Sequence, residues 1–550
     1  MSAIAPTAHG MAVPDTLHAV SVQIPTWQEI CAIALGDLKA IKALKNGYPR
    51  SYVHKSIQVL VEACEREFFL AGEKPMLFSN PDAARACKAY MSSTAIHGSK
   101  AASSDGISLR NIEFGTKSSP ELALHLPPLY AVVYPPEWAG LATLFWRLTG
   151  TGISSRMAGR CLQALDRMCQ VDVPTQLPPS VLHPAYETIR TRIANLIERA
   201  PVDPPRPSKV SPNDVFLYPS GMSAIYHTHH LLLNWRGAES VVVGFTYELT
   251  IKIMEAFGPS YKFYGAGTEA EIDEFERALE AKHRQGVKIQ AVWCECPSNP
   301  LLRTVNMKRL RGLADKYDFI VIVDDTIGSF ANVDVLGIAD IVITSLTKSF
   351  NGFADVLAGS TILNPNSRYY CELQPLLSAS YKNNLHVDDA IQLEANSRDF
   401  MQRAAQLNET ANYLVDRIHP YAADPRSVVS KVYYPKLCWS TENYHARMRP
   451  ATEEFTPGYG GLFTIEFVTV QAAMEFLNSL QLHKGPSIGA NITLALPYVQ
   501  MVFQKEKDWA ARHGVKETIV RISVGLEDKE VLLGCLLRAL QIADQGKSHI

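Results

Sequence analysis

The stretch Val287–Asp325, VKIQAVWCECPSNPLLRTVNMKRLRGLADKYDFIVIVDD, decides the fold. VKIQAVWCECP reads as a strand and NMKRLRGLADKYD as a helix. FIVIVDD returns as a strand whose run FIVIV is apolar throughout, as a strand buried on both faces should be. A strand, a helix and a second buried strand in this order argue for a parallel pair with a helical crossover.

The alternation continues on either side. Upstream stand the strand DVFLYPS, the helix GMSAIYHTHHLLLNW, the strand SVVVGFTY, the helix ELTIKIMEAFG and the strand YKFYGAG. The helix TEAEIDEFERALEAKHRQG opens with a capping box from Thr268 to Glu271 and ends at Gly286. Downstream, Ile341–Ile343 end a buried strand in DIVITSLTKSFNG, and GSTILNP follows. Before the proline-rich connector Pro201–Asp214 the chain is helical, at Ser56–Leu70 and Ala185–Ala200. From about Asn366 it is again more helical, with strands near GGLFTIEFV and TIVRISVG. This predicts an α/β protein: a mostly parallel central sheet flanked by helices, a smaller C-terminal α+β domain and a helical N-terminal extension. The expected divisions are 1–145 for the extension and interface region, 146–365 for the large domain and 366–550 for the C-terminal domain. Apolar stripes on the extension's helices are expected to cover a subunit interface.

Composition sets limits on function. The 550 residues are 47% hydrophobic and 20% charged, with a net charge of −2. That balance suits a soluble globular protein and gives no footprint for nucleic acid or an anionic membrane. The first twenty residues do not read as a secretory signal, and no apolar run is long enough to span a bilayer. The ten cysteines are scattered with no CxxC pair, which fits a reducing, cytoplasmic setting. Cys294 and Cys296 share a strand face, but no second ligand pair has metal-site spacing. His227, His229 and His230 likewise lack a carboxylate or cysteine at fitting spacing, so no metal is expected.

Ligands of such sheets bind outside the carboxyl ends of the strands, and the residues with chemistry fall there. Ser220-Gly221-Met222-Ser223 opens a helix, where N–H groups and the dipole suit a phosphate; an ordinary strand-to-helix turn reads the same way. Tyr247, at a strand end, could stack on a planar ring or pack at an edge. Asn299 stands in a turn between Pro297 and Pro300. Asp324 and Asp325 face opposite ways, so one aims into the site, where a buried carboxylate needs a positive partner such as a protonated pyridine nitrogen. Lys348 follows a buried strand beside Ser345 and Thr347. Desolvated there it becomes a usable amine; left solvated it is a plain loop lysine. Taken in order, phosphate seat, ring-stacking tyrosine, ring-nitrogen aspartate and Schiff-base lysine describe pyridoxal phosphate (PLP).

The motifs FLYPSGMSAIY, CECPSNPLL, IVDDTIGSF, SLTKSFNG, NSRDF, YGGLFTIEF, KGPSIGANITLALPYV and VRISVGLED carry a resemblance. GTGISSRMAGRCL and NGYPRSYVHKSI extend it toward the N-terminus. From about Pro25 to Leu540 the chain resembles the PLP-dependent cysteine and methionine metabolism enzymes of aminotransferase-like fold (fold type I). Within them it is most similar to the fungal type of cystathionine γ-synthase. The resemblance implies that Lys348 binds the cofactor covalently, Asp324 pairs with its ring nitrogen, and Tyr247 stacks on the ring and assists proton transfer. It assigns Ser220, Gly221, Met222, Ser345 and Thr347 to the phosphate. Arg521 would fork onto the substrate α-carboxylate, a geometry lysine does not supply, with Asn299 and Ser487 near that carboxylate and the cofactor. Arg156 would reach the phosphate of a neighbouring subunit, which implies a homodimer or homotetramer with shared sites.

The implied reaction is γ-replacement on O-acetyl- or O-succinyl-L-homoserine through a β,γ-unsaturated intermediate, with cysteine as the nucleophile. There are departures from the pattern. Ser154 stands where the family has tyrosine, and Asp324-Asp325 replaces Asp-Asn. Phe353-Ala354 occupies a loop, near the substrate entrance, where many fungal synthases have an acidic residue. That last change keeps open a carbon nucleophile, such as a β-keto acid, in specialised metabolism. A γ-lyase and an idle scaffold are further alternatives, although a scaffold needs none of Lys348, Asp324, Tyr247 and Arg521.

Overall fold

The computed structural model describes residues 8–46, 52–115, 126–173, 182–203 and 206–547. Parts of NGYPRSYVHKSI, of the proline-rich connector and of the opening twenty residues lie outside the described residues.

The N-terminal region carries the expected helices and also a sheet that sequence reading does not anticipate. Strands β1 (Lys74–Phe78), β2 (Ser108–Phe114), β3 (Leu129–Tyr134) and β4 (Met168–Val171) pair antiparallel in the order β1-β3-β2-β4. β3, LYAVVY, is buried at every position, and a short apolar run of this kind has no period to distinguish it from a buried helix. Its two faces serve different cores. Leu129, Ala131 and Val133 cluster with Leu60 and Cys64 of the helix Lys55–Phe68. Tyr130, Val132 and Tyr134 cluster with Ile225 and Tyr226 of the helix Gly221–Trp235. The sheet thus welds the N-terminal region to the domain that follows.

That domain is built on β5 (Val215–Tyr218), β6 (Ser240–Val243), β7 (Tyr261–Tyr264), β8 (Ala291–Glu295), β9 (Ile320–Asp324), β10 (Ile341–Thr344) and β11 (Gly359–Leu363). Their order is β5-β11-β10-β9-β8-β6-β7. The run from β10 to β7 is parallel, and β11 is antiparallel to both of its neighbours. β9 shows why its sequence is apolar throughout. Val321 and Val323 face one core, Ile320 and Ile322 the other, so neither face has room for a polar residue.

The C-terminal sheet holds β12 (Val429–Tyr433), β13 (Leu462–Phe467), β14 (His483–Lys484), β15 (Leu494–Leu496) and β16 (Ile519–Ser523), ordered β12-β13-β16-β15-β14. The helices Phe400–Ile418 and Lys529–Lys547 pack near it. A short N-terminal ribbon ties the two sheets together. Val20 N–H donates to the Ala354 carbonyl (2.7 Å) and Ile24 N–H to that of Lys484 (2.8 Å). The Ser21 hydroxyl donates to the Pro486 carbonyl at 2.8 Å. Among the described residues no helix is long and apolar enough to cross a membrane.

Candidate active site

The carboxyl ends of the parallel strands, together with Ser487, Ile488 and Arg521 of the C-terminal region, line an open cleft. Each strand delivers its residue through local structure. After β5, Ser220 caps the helix Gly221–Trp235: its hydroxyl oxygen accepts from Ser223 N–H at 3.0 Å and donates to the Gly150 carbonyl at 3.1 Å. The side chain of Ser220 is thus spent on the cap. Gly221 and Met222 line the cleft in the first turn, where N–H groups have no intrahelical partner. A Cβ at position 221 would come within 2.7 Å of Ser345 Cβ, so glycine is what lets the helix start and the β10 loop approach this closely.

Ser345 lines the same end of the cleft. Thr347 does not: its hydroxyl donates to the Ala358 carbonyl (3.1 Å) and accepts from Ala358 N–H (3.0 Å). Of the residues expected at the phosphate, Gly221, Met222 and Ser345 line the cleft, while the side chains of Ser220 and Thr347 are engaged elsewhere.

Strand alternation separates the two aspartates. Asp324 lines the cleft and accepts from Thr326 N–H at 2.9 Å, while Thr326 Oγ1 accepts from Ser345 N–H at 2.8 Å. Burial holds the Asp324 carboxyl above its ordinary range. Asp325 turns away and accepts from the Thr344 hydroxyl at 2.6 Å. Burial pushes Asp325 up to about 7. The native carboxyl therefore keeps its proton long after an unfolded one has released it near pH 4. Asp325's own contribution to stability therefore falls as pH rises from about 4 to about 7, against His18, His227 and His229, whose values burial lowers, so that theirs rise over much of the same range. Asp325→Asn is expected to remove that contribution, so that the variant's thermal midpoint gains on the parent's as pH rises across this stretch, as read by paired melts.

Sequence reading missed Glu295, the last residue of β8. It lines the cleft, in register beside Asp324. Its carboxylate accepts from Tyr247 N–H (2.6 Å) and from Asn299 N–H (3.0 Å). Burial first, and Asp324 second, push its carboxyl well above the usual range. The signal was present: an acid closing an apolar strand at the same edge as Asp324.

Lys348, after β10, brings its Nζ to 3.4 Å from the Ser487 hydroxyl. Ser487 comes from the C-terminal domain with φ +154°, backbone strain of the kind that gathers at functional sites. Two residues on, Gly489 (φ +69°) lies so close that a Cβ there would meet Ser349 N at 2.5 Å. Arg521 of β16 is buried; its Nη1 donates to Asn299 Oδ1 (2.9 Å) and its Nη2 to the Ser487 carbonyl (3.1 Å).

Arg156 is not brought to the cleft of its own chain. It pairs with Asp355 (3.0 Å) and Asp389 (3.1 Å) and also donates to the Asp355 carbonyl. Ser154, the departure two residues earlier, accepts from Met157 N–H at 3.1 Å and caps the helix Ser155–Leu162. At the other departure Phe353 is 43% exposed, with the Arg403 guanidinium 5.6 Å from its ring centre.

The residues fit pyridoxal phosphate. The glycine cradle at 221 would take an anion at the helix start. The buried Asp324 carboxylate calls for a positive partner inside the cleft, which a protonated ring nitrogen supplies. Gly221, Met222 and Ser345 would hold the phosphate, Tyr247 the ring face and Lys348 the aldehyde.

Comparison with known proteins agrees. The family model described as Cys/Met metabolism PLP-dependent enzyme matches residues 211–541, and the fungal trans-sulfuration enzyme N-terminal domain matches residues 56–154. A protein named alanine racemase ungC, from Aspergillus violaceofuscus, is 40% identical over 97% of this chain and 96% of its own. The cystathionine gamma-synthase-like enzyme iboG2 of Amanita muscaria is 36% identical over the same shares, 97% and 96%. A solved structure titled cystathione gamma lyase (CalE6), from Micromonospora echinospora, superposes with TM-score 0.53 at 24% identity. It covers 68% of this chain and 91% of that one, and bears on the fold alone. Matched along both its N-terminal and its catalytic regions, the chain belongs to the Cys/Met metabolism PLP-dependent enzymes, as a cystathionine γ-synthase-like member with the fungal trans-sulfuration N-terminal domain.

Proposed function

We propose that the protein catalyses γ-replacement on an O-acetyl- or O-succinyl-L-homoserine, with the thiol of cysteine entering at the γ-carbon. One observation carries the reading: Ser487 touches Lys348 through its hydroxyl and Arg521 through its carbonyl. A substrate whose α-carboxylate sits on Arg521 therefore presents its α- and β-carbons to the lysine amine.

Pyridoxal phosphate, when bound, supplies the sink for negative charge at the substrate α-carbon. Arg521 fixes the carboxylate, held in place by Asn299. The Lys348 amine takes the α-proton, and then moves a proton at the β-carbon. Asp324 keeps the proton on the ring nitrogen. The γ C–O bond breaks and acetate or succinate leaves. The cysteine sulfur then forms the γ C–S bond and its thiol proton is lost, with Tyr247 placed to assist proton transfer. Arg156 in a homodimer or homotetramer with shared sites belongs to the same proposal. Family resemblance supports it, and the arginine would exchange Asp355 and Asp389 for a neighbour's phosphate.

The 40% identity to a protein named alanine racemase favours a second reading, in which a proton removed from the α-carbon returns on the opposite face. Lys348 and Tyr247, both lining the cleft, offer two groups for that exchange. Incubation with O-acetyl-L-homoserine and cysteine is expected to give the mass of cystathionine. The mass of an acetoacetate adduct instead identifies a carbon nucleophile. Release of 2-oxobutyrate and ammonia alone identifies a lyase. D-alanine formed from L-alanine, with no γ-product, replaces the proposal by racemisation.

A further inference from the structure

Tyr498 lies outside every role assigned above. It is 1% exposed, at the start of the helix Tyr498–Val502, in a cluster with Phe245, Leu496 and Phe503. Phenylalanine would fill such a cluster as well. Yet the Tyr498 hydroxyl is buried with no hydrogen-bond partner among the described residues, whereas a buried tyrosine normally finds one. Its surroundings point to the cleft. The Arg521 guanidinium carbon stands 4.9 Å from the centre of the Tyr498 ring. Glu248, Arg521, Tyr247 and Glu295 are the charged and titratable groups whose fields reach its hydroxyl.

The guanidinium of Arg521 is thereby held in two ways. Asn299 Oδ1 and the Ser487 carbonyl take its two terminal nitrogens, and its central carbon lies over the Tyr498 ring. Two hydrogen bonds to the terminal nitrogens do not by themselves fix the tilt of a planar cation about the line joining them; a ring beneath its central carbon adds a constraint on that tilt. We infer that Tyr498 is a positioning residue of the carboxylate subsite, whose ring sets the plane of the Arg521 fork on which an α-carboxylate is read. The inference rests on the reading of Arg521 as the carboxylate anchor.

Two ligands that cannot undergo γ-replacement separate a carboxylate effect from a general one: L-norvaline and butylamine, the same amine without the carboxylate. Their affinities for the holoenzyme, read by calorimetry, give a carboxylate preference. Tyr498→Met is expected to lower that preference on the order of ten-fold, through weaker norvaline binding with butylamine unchanged. Tyr498→Phe, which restores the ring, is expected to restore it. Tyr498→Leu carries the same arm if a melt shows that the methionine variant does not fold. A preference kept without the ring overturns the inference, as does an equal loss for both ligands or a failure of Tyr498→Phe to rescue. Arg521→Lys is the control: if it leaves the preference intact, the anchor reading falls and takes this inference with it. If it abolishes the preference while the Tyr498 variants do not, only this inference falls.

Discussion

Lys348→Ala is expected to slow turnover by about 10⁴-fold or more while leaving a folded protein that no longer holds its cofactor covalently. In the proposed chemistry one amine would do two things in succession: anchor the cofactor aldehyde and, once displaced by substrate, carry the α-proton. No neighbour replaces it in both roles. Tyr247 lines the same cleft but has no amine, and Ser487, 3.4 Å away, has only a hydroxyl. The fold should survive because the loop is held by its backbone. Gly352 N–H donates to the Lys348 carbonyl at 2.8 Å and Asn351 N–H to that of Leu346 at 3.0 Å. Gly489 closes against the main chain rather than the side chain. Borohydride reduction followed by peptide mapping provides the check. In the unaltered protein the tag should fall on Lys348, and in the variant on no residue. A tag on another lysine would remove the basis of the proposed chemistry.

What sequence alone reveals divides along physical lines. The parallel sheet is legible because burial on both faces leaves a continuous apolar run, and Phe319–Val323 announces it. The residues at strand ends are legible because the topology fixes where strand ends meet. Alternation shows that only one of Asp324 and Asp325 can face the cleft, and resemblance names Asp324. The N-terminal sheet is hidden because β3 is short and buried on both sides, a pattern shared with a buried helix. Glu295 is hidden for another reason: a lone acid at the end of a strand reads as a turn residue until its two N–H partners are seen. Arg521, Ser487 and Tyr498 lie more than a hundred residues from the lysine. No periodicity brings them there, and only resemblance points to the first two. The N-terminal ribbon shows the same limit, because nothing in Val20 indicates that its N–H binds the carbonyl of Ala354.

Asp324→Asn is expected to separate catalysis from stability in opposite directions. Asp324 and Glu295 stand side by side on neighbouring strands, both buried and both with carboxyls held above their ordinary range. Without a positive group between them the pair is a liability, since two desolvated carboxylates repel. Asparagine keeps the oxygen that accepts from Thr326 N–H and removes the charge. The cofactor-free variant should therefore melt at the same temperature as the parent or higher, as expected when a site arranged for function is neutralised. Turnover should fall on the order of 10³-fold, the equivalent of about three pKa units lost from a ring nitrogen whose proton an aspartate had been holding. Melts of the cofactor-free proteins and rates of the loaded ones read the two halves independently. Unchanged turnover would mean that no charge is required opposite the ring nitrogen. A large loss of thermal stability would mean that Asp324 serves the strand junction rather than the cofactor. The Lys348 charge offsets only part of the burial of Asp324, so a firmer protein with a slower reaction would mean that the carboxylate is kept in place for a further cation, the ring nitrogen.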